Sequence, residues 1–164
     1  GSGAIALSIL SEIKKSSAVA VDISFGALEI AFSNAVSNKL DGRVGFINAN
    51  WFDAFSKCFV FDFIVSNPPY IKNSVISGLE PEVKLHEPIS ALDGGEDGLD
   101  CVRCIVSVAP LFLKDGGFMA IEIGFDQGEE VRELIISDGR FTDVRILKDY
   151  GGNDRIAYAK KKIT

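Results

Sequence analysis

Short apolar runs alternate with amphipathic segments along most of the chain, and this alternation limits the folds that the chain can adopt. The runs have the length and β-branched character of buried parallel strands, and the segments between them have helical spacing. Strands are predicted at 17–22, 43–49, 61–66, 117–124, 144–147 and 156–159, and helices at 4–15, 24–38, 99–113 and 127–138. Regular alternation favours an α/β fold, a doubly wound and mostly parallel sheet with helices on both faces.

The beginning of the chain resembles the middle of a motif. Gly1-Ser2-Gly3 runs directly into the first predicted helix, and no methionine precedes it. A glycine turn before a helix normally follows a strand, so we expect that an upstream strand, and a whole domain before it, belong to the parent protein. The alternative is that the three residues are left over from cloning. The 164 residues then form one domain over 1–164 that lacks its first strand.

Composition narrows the environment and the partners. The chain is 47% hydrophobic, yet no apolar run approaches the roughly 18 residues that a membrane span needs. Because there are three cysteines and no signal peptide, a soluble protein of the reducing cytoplasm is expected. A net charge of -6 favours a protein partner or a small molecule over nucleic acid, although a local basic groove would be compatible with it.

Several polar segments each follow a predicted strand, and in such folds ligands bind at the carboxyl ends of the strands. Gly1-Ser2-Gly3 would allow close approach of a ligand, and Asp22 lies about 20 residues further on, where an acid binds ribose hydroxyls. Asn50 offers an amide for an adenine edge, with Trp51 and Phe52 beside it; the alternative is that both aromatic residues belong to the core. These residues predict a nucleoside ligand.

The segment Asn67-Pro68-Pro69-Tyr70 directly follows the predicted strand at 61–66. Pro69 restricts Pro68 to an extended conformation and neither proline has an N–H, so the loop is stiff and presents acceptors. An amide or aromatic amine nitrogen is a poor nucleophile because its lone pair is delocalised. The Asn67 side-chain oxygen and the Pro68 carbonyl would accept its two N–H bonds and hold it for in-line attack on a methyl sulfonium, with Tyr70 packed on the planar group.

This four-residue string resembles the signature of methyltransferases that act on glutamine amides or on adenine and cytosine amines. The rest of the chain resembles the HemK-type release-factor glutamine methyltransferases over essentially its whole length. Gly1–Leu7 resembles the end of that family's cofactor loop, Ala20–Asp22 its ribose-binding strand end, and Asn50–Phe52 its adenine-contact segment. The remaining matches are Glu87-Pro88, Ala91-Leu92, Gly94-Gly95, Asp97–Leu99, Ile121–Gly124, Gln127-Gly128 and Lys148–Arg155.

The resemblance implies a Rossmann-like class I methyltransferase with S-adenosylmethionine as methyl donor. It implies methylation of the glutamine in the Gly-Gly-Gln motif of a peptide-chain release factor, with Asn67 close to both cofactor and substrate. The family usually has an acid at the position of Asn50, and its helical amino-terminal domain has no counterpart here. Two alternatives stay open, an adenine-N6 methyltransferase acting on DNA or RNA and a cofactor-binding domain without catalysis.

Other features carry weaker predictions. The stretch at 67–98 is predicted to cover a site, with a weak helix at 78–85. Cys101 and Cys104 lie inside a predicted helix and have no suitably placed partners, so no metal site is predicted. For Glu87 and Glu122, a role in ordering the loop and a structural hydrogen bond are both compatible with the sequence.

Overall fold

The structure is a computed structural model that describes residues 1–56, 58, 60–78 and 88–163. The chain divides into two compact units, Gly1–Ser56 and Lys57–Thr164. The first contains α1 (Ala4–Glu12), β1 (Ala18–Asp22), α2 (Phe25–Ser37) and β2 (Val44–Asn48); the second contains β3 (Phe61–Ser66), α3 (Asn73–Ile76), α4 (Asp100–Val108), β4 (Leu113–Glu122), α5 (Gly128–Asp138), β5 (Phe141–Lys148) and β6 (Asp154–Lys161). None of the helices in these ranges has the length and apolar character required to cross a membrane.

The first unit is a β-α-β arrangement with two parallel strands. Ala18 pairs with Val44 and Asp22 with Asn48, so β1 and β2 end level with each other. Ser24 caps α2 by accepting a hydrogen bond from the N–H of Ala27 at 3.2 Å, as its position before the helix predicts. The apolar faces of both helices meet the strands in one core that contains Leu7, Leu10, Ala35, Leu40 and Val44.

Helix α1 ends three residues earlier than predicted, at Glu12. The Arg43 guanidinium explains this end, because it donates to the carbonyls of Leu10 at 2.9 Å, Ile13 at 2.7 Å and Ser16 at 2.9 Å. Carbonyls at a helix end have no partner within the helix. Arg43 therefore fixes the path of the chain from α1 into β1.

The second unit contains a four-stranded mixed sheet in the order β3-β4-β6-β5. Strands β3 and β4 are parallel, whereas β6 runs antiparallel to both of its neighbours. Burial alternates along β4, with Met119 and Ile121 fully buried on one side. On the other side of β4, the ring of Phe118 packs against the rings of Phe63 and Tyr158, with distances of 5.2 Å and 5.5 Å between ring centroids. Two apolar layers therefore hold the strand on which the candidate site depends.

The predicted elements are present, with shifted ends. Strand β3 has the predicted bounds, but β4 begins at Leu113 and not at Gly117, because Leu113 pairs with Phe61 ahead of a register shift. Helix α4 ends at Val108, where Pro110, which has no N–H to donate, lies in a 3-10 turn. The predicted helix at 78–85 falls almost wholly outside the described residues.

Replacing Arg43 with alanine is expected to destabilise the protein by about 2–3 kcal/mol, because three carbonyls lose a charged donor. The free energy of unfolding from urea denaturation measures this. Arg132→Ala is the matched control: its side chain is 46% exposed and lies 3.7 Å from Glu129. Its expected cost is below about 1 kcal/mol. Equal losses in the two variants would contradict the role of Arg43.

Candidate active site

In the first unit, the carboxyl ends of β1 and β2 are fixed to each other by polar contacts. The Asn48 side chain donates to the carbonyls of Asp22 at 2.9 Å and Ile23 at 2.8 Å. One carboxylate oxygen of Asp22 accepts the N–H of Ser24 at 2.8 Å. Asn48 was not predicted as a site residue, and these bonds show that it orders the backbone that carries Asp22.

Gly1, at the start of the glycine segment, contacts Asp22. The nitrogen of Gly1 donates to the other oxygen of the Asp22 carboxylate, whose side chain is 22% exposed. The Ser2 carbonyl accepts a hydrogen bond from Asn34 at 3.0 Å. Gly3 has a φ of 76°, and a Cβ there would lie 3.0 Å from the Cβ of Ala31, so glycine serves both the turn and the approach of α2.

Asn50, Trp51 and Phe52 form a turn after β2, in which the Asn50 carbonyl accepts the N–H of Asp53 at 3.0 Å. Asn50 is exposed, while Trp51 and Phe52 are only half-buried. Trp51 has a φ of 47°, which is unusual and strained for a bulky residue. Neither aromatic residue is a fully buried core residue, so the turn retains accessible aromatic surface.

In the second unit, Asn67 to Tyr70 continue directly from β3. Asn67 is exposed, Pro68 is buried, and Pro69 and Tyr70 are half-buried. Within the described residues, neither the Asn67 side chain nor the Pro68 carbonyl takes part in a hydrogen bond. The two acceptors proposed from the sequence are therefore not used by the described part of the chain, and the Asn67 side chain is not turned into the core.

Tyr70 is held at its hydroxyl by a small ionic group. The hydroxyl donates to Glu122 at 3.3 Å, and Arg155 binds Asp149 at 3.2 Å and the Ile123 carbonyl at 3.4 Å. Burial raises the pKa of the Tyr70 phenol, and the charge and hydrogen bond of Glu122 raise it further, while Arg155 opposes them. The phenol therefore stays neutral near pH 7, where its hydroxyl is a hydrogen-bond donor to Glu122.

The side chain of Gln127 binds the backbone of the same tyrosine, Tyr70. Its amide nitrogen donates to the carbonyls of Tyr70 at 3.1 Å and Gly98 at 3.2 Å, and its amide oxygen accepts the N–H of Gly124 at 2.8 Å. The side chain is 3% exposed. The sequence singled out Gln127 through the family resemblance alone, without assigning it a role.

The loop that returns to α4 pairs with the residue after Tyr70. Ile71 donates to the Leu92 carbonyl at 3.0 Å, and its own carbonyl accepts the N–H of Gly94 at 2.9 Å. Asp97 binds Arg103, and this hydrogen bond lowers the pKa of Asp97 to about 2. The described part of the predicted site-covering loop thus orders the Asn67–Tyr70 segment, whereas Glu87 lies outside the described residues.

The two cysteines of α4 and two cavities do not include any of the predicted site residues. Cys101 and Cys104 form no disulfide with each other or with Cys58, and burial raises the pKa of the Cys101 thiol, which disfavours the reactive thiolate. A cavity of about 310 Å³ opens in the second unit beside Arg140 and Lys161, and one of about 320 Å³ in the first unit beside Ser8 and Asn38. Neither cavity is lined by a predicted site residue.

Comparison with known proteins identifies the fold of the chain. The family described as "Methyltransferase small domain" matches residues 1–79. A methyltransferase structure from Pyrococcus furiosus superposes with a TM-score of 0.69 at 18% identity, over 98% of this chain and 70% of that one. The predicted Rossmann-like α/β fold is thereby confirmed, and the chain has the fold of the class I methyltransferases.

The relatives found by sequence similarity indicate a narrower group of proteins than the fold does. The chain is 47% identical to a release factor glutamine methyltransferase from Agrobacterium fabrum over 95% of its length, and 44% identical to one from Fusobacterium nucleatum over 99%. The resemblance to the release factor glutamine methyltransferases that the sequence indicated is thereby confirmed over almost the whole chain. The chain spans about half the length of these relatives, 53% and 46%.

Gly98→Ala is expected to disturb the site, because a Cβ there would lie 2.5 Å from the Tyr70 carbonyl oxygen and 2.6 Å from the Gln127 amide nitrogen. Gly139→Ala is the matched control, since both glycines have a φ of 80° and a Cβ at 139 meets nothing within 4 Å. The control should cost about 1–2 kcal/mol of unfolding free energy from the backbone alone. Gly98→Ala should cost about 1–3 kcal/mol more from the clash; equal costs would contradict the close contact.

Proposed function

We propose that the protein is a methyltransferase that uses S-adenosylmethionine to methylate a glutamine side-chain amide in the Gly-Gly-Gln motif of a peptide-chain release factor. The names of the relatives support the substrate, and the free acceptors that follow β3 support the chemistry. The observation that carries the proposal is the Asn67 side chain, exposed and without a hydrogen bond in the described part of the chain, next to the Pro68 carbonyl.

The substrate nitrogen determines why such acceptors are needed. The lone pair of an amide nitrogen is delocalised into its carbonyl, and positive charge builds on nitrogen as the new bond to carbon forms. The Asn67 oxygen and the Pro68 carbonyl would accept the two N–H groups and stabilise that charge, without reorganisation at the moment of reaction. Pro69 has no N–H that could compete for these acceptors, and the neutral Tyr70 ring would pack on the planar amide.

The residues of the first unit suit the nucleoside part of the cofactor, which when bound supplies a methyl group on a sulfonium. Asp22 has a partly exposed carboxylate at a strand end and would bind the ribose hydroxyls. The nitrogen of Gly1 lies beside this carboxylate, and the backbone of Gly1 to Gly3 would let the cofactor approach closely. Asn50 with the accessible faces of Trp51 and Phe52 would contact the adenine. An amide at Asn50 can accept from an adenine amine and donate to a ring nitrogen, so it fits this role without a charge.

Asn67→Ala is expected to lower kcat by about 100-fold or more, because the acceptor acts chiefly in the transition state. The affinity for S-adenosylhomocysteine should stay within about twofold, since the proposed cofactor contacts lie mostly elsewhere. Asn67→Asp, which keeps acceptor oxygens at the same position, is the matched variant and should retain more activity than alanine. Turnover that survives Asn67→Ala with only a cofactor-binding defect would refute the assigned role.

Transfer of labelled methyl groups tests the substrate. The purified protein is given a release factor, the same factor with the Gly-Gly-Gln glutamine replaced, and duplex DNA. Label on the first alone is the expected result. Label on DNA alone would make the protein an adenine methyltransferase, a reading that its net charge of -6 disfavours. Cofactor binding without transfer to either would make it a binding domain, and both outcomes would overturn the proposal.

A further inference from the structure

Among the residues that the structure describes, Gln127 is the one polar or charged side chain that is buried. Both of its N–H groups and its carbonyl oxygen have partners, at distances of 2.8 to 3.2 Å. A fully paired amide has one orientation, because turning it over would place an oxygen against two carbonyls. The side chain thus acts as a rigid connection between three backbone segments.

The chain leaves room for this amide at two glycines. A Cβ at Gly98 would lie 2.6 Å from the Gln127 nitrogen, and a Cβ at Gly124 would lie 3.0 Å from its oxygen. The amide also closes the first turn before α5, since its oxygen accepts the N–H of Gly124. The room left at Gly98 and Gly124, together with the backbone groups that bind the amide, therefore fits a side chain of the length of glutamine.

The three connected segments have different positions in the site. Gly124 follows the buried end of β4, Gly98 precedes α4, and Tyr70 closes the segment that carries Asn67. Tyr70 is held at a second point, where its hydroxyl donates to Glu122, near the end of the same strand β4. Because Pro68 and Pro69 allow little backbone rotation, fixing the Tyr70 carbonyl limits the direction of the acceptors that precede it.

We infer that Gln127 is a positioning residue for the substrate amide, setting the direction of the Asn67 and Pro68 acceptors through the Tyr70 carbonyl. This inference rests on the proposed function. It differs from a purely structural role in one consequence: loss of the amide should lower turnover of bound substrate more than it lowers stability or cofactor binding. A misplacement of about 1 Å at a reacting group is enough to cost of the order of 100-fold in rate.

Gln127→Glu is the test variant, because it keeps the shape and the acceptor for Gly124 but replaces the two donors with an oxygen that faces two carbonyls. We expect kcat for methylation of a release factor to fall at least tenfold, with the Kd for S-adenosylhomocysteine within twofold of the parent value. Hydrogen exchange should become faster at the amides of Ile71 and Gly94, which pair next to Tyr70. Should Gln127→Glu not fold, Gln127→Asn, which withdraws the amide by one methylene, takes its place with the same expectations.

Ile135→Ala is the matched control, since Ile135 lies fully buried on the same helix and touches none of these hydrogen bonds. It should lower the unfolding midpoint while leaving kcat within twofold and exchange at Ile71 and Gly94 unchanged. If Gln127→Glu keeps its turnover, or if Ile135→Ala reproduces the loss, the inference is overturned. If the parent protein methylates no release factor, the proposed function fails by itself. In that case amide hydrogen exchange at Ile71 and Gly94 alone tests the positioning role. Unchanged protection of these amides in Gln127→Glu would overturn it.

Discussion

Parallel pairing in register is the constraint on which the candidate site residues of each unit depend. Residue-by-residue pairing makes β1 and β2 end at the same level, with Asp22 opposite Asn48, and it places Ser66 opposite Ile121 where β3 meets β4. The residues that follow such ends leave the sheet together, so segments far apart in sequence become neighbours. A slip of one residue would turn every side chain of a strand to its other face. The apolar alternation of β4 opposes such a slip, because Met119 and Ile121 would lose full burial.

Near and beyond the strand ends, backbone groups have fewer hydrogen-bond partners in the sheet, and polar side chains supply partners instead. In the first unit Asn48 binds the Asp22 and Ile23 carbonyls, and in the second Gln127 binds those of Tyr70 and Gly98. Gln127 fixes loop backbone outside the strands, whereas Asn48 fixes the last residue of β1 and the residue that follows it. An unpaired buried carbonyl costs about 1–3 kcal/mol, so the buried bond from Gln127 to Gly98 is needed even before any ligand is considered.

The parts of the structure that sequence could predict are those governed by local rules. Periodicity located β3 at its observed bounds, and the cap at Ser24 follows from hydrogen bonding within one turn. The beginning of β4 could not be predicted, because Lys114 to Gly117 has the composition of a turn and is included in the strand only through the pairs that flank it, Leu113 with Phe61 and Phe118 with Phe63. The end of α1 depends in the same way on Arg43, which lies about 30 residues further along the chain.

The candidate site divides along the same line. Asp22 and Asn67 could be proposed from the sequence because each stands at the end of an apolar strand and has a side chain with obvious chemistry, whereas two of the three partners of Gln127 lie 29 and 57 residues away. Local patterns cannot specify such partners, and the requirement for glycine at Gly98 and Gly124 becomes visible only when the amide beside them is known. The contrast between the two amides is informative. Gln127 uses every hydrogen-bonding group it has, while Asn67, on the segment that Gln127 fixes, uses none within the described residues. An exposed acceptor that no described residue uses has its hydrogen-bonding capacity available for a ligand.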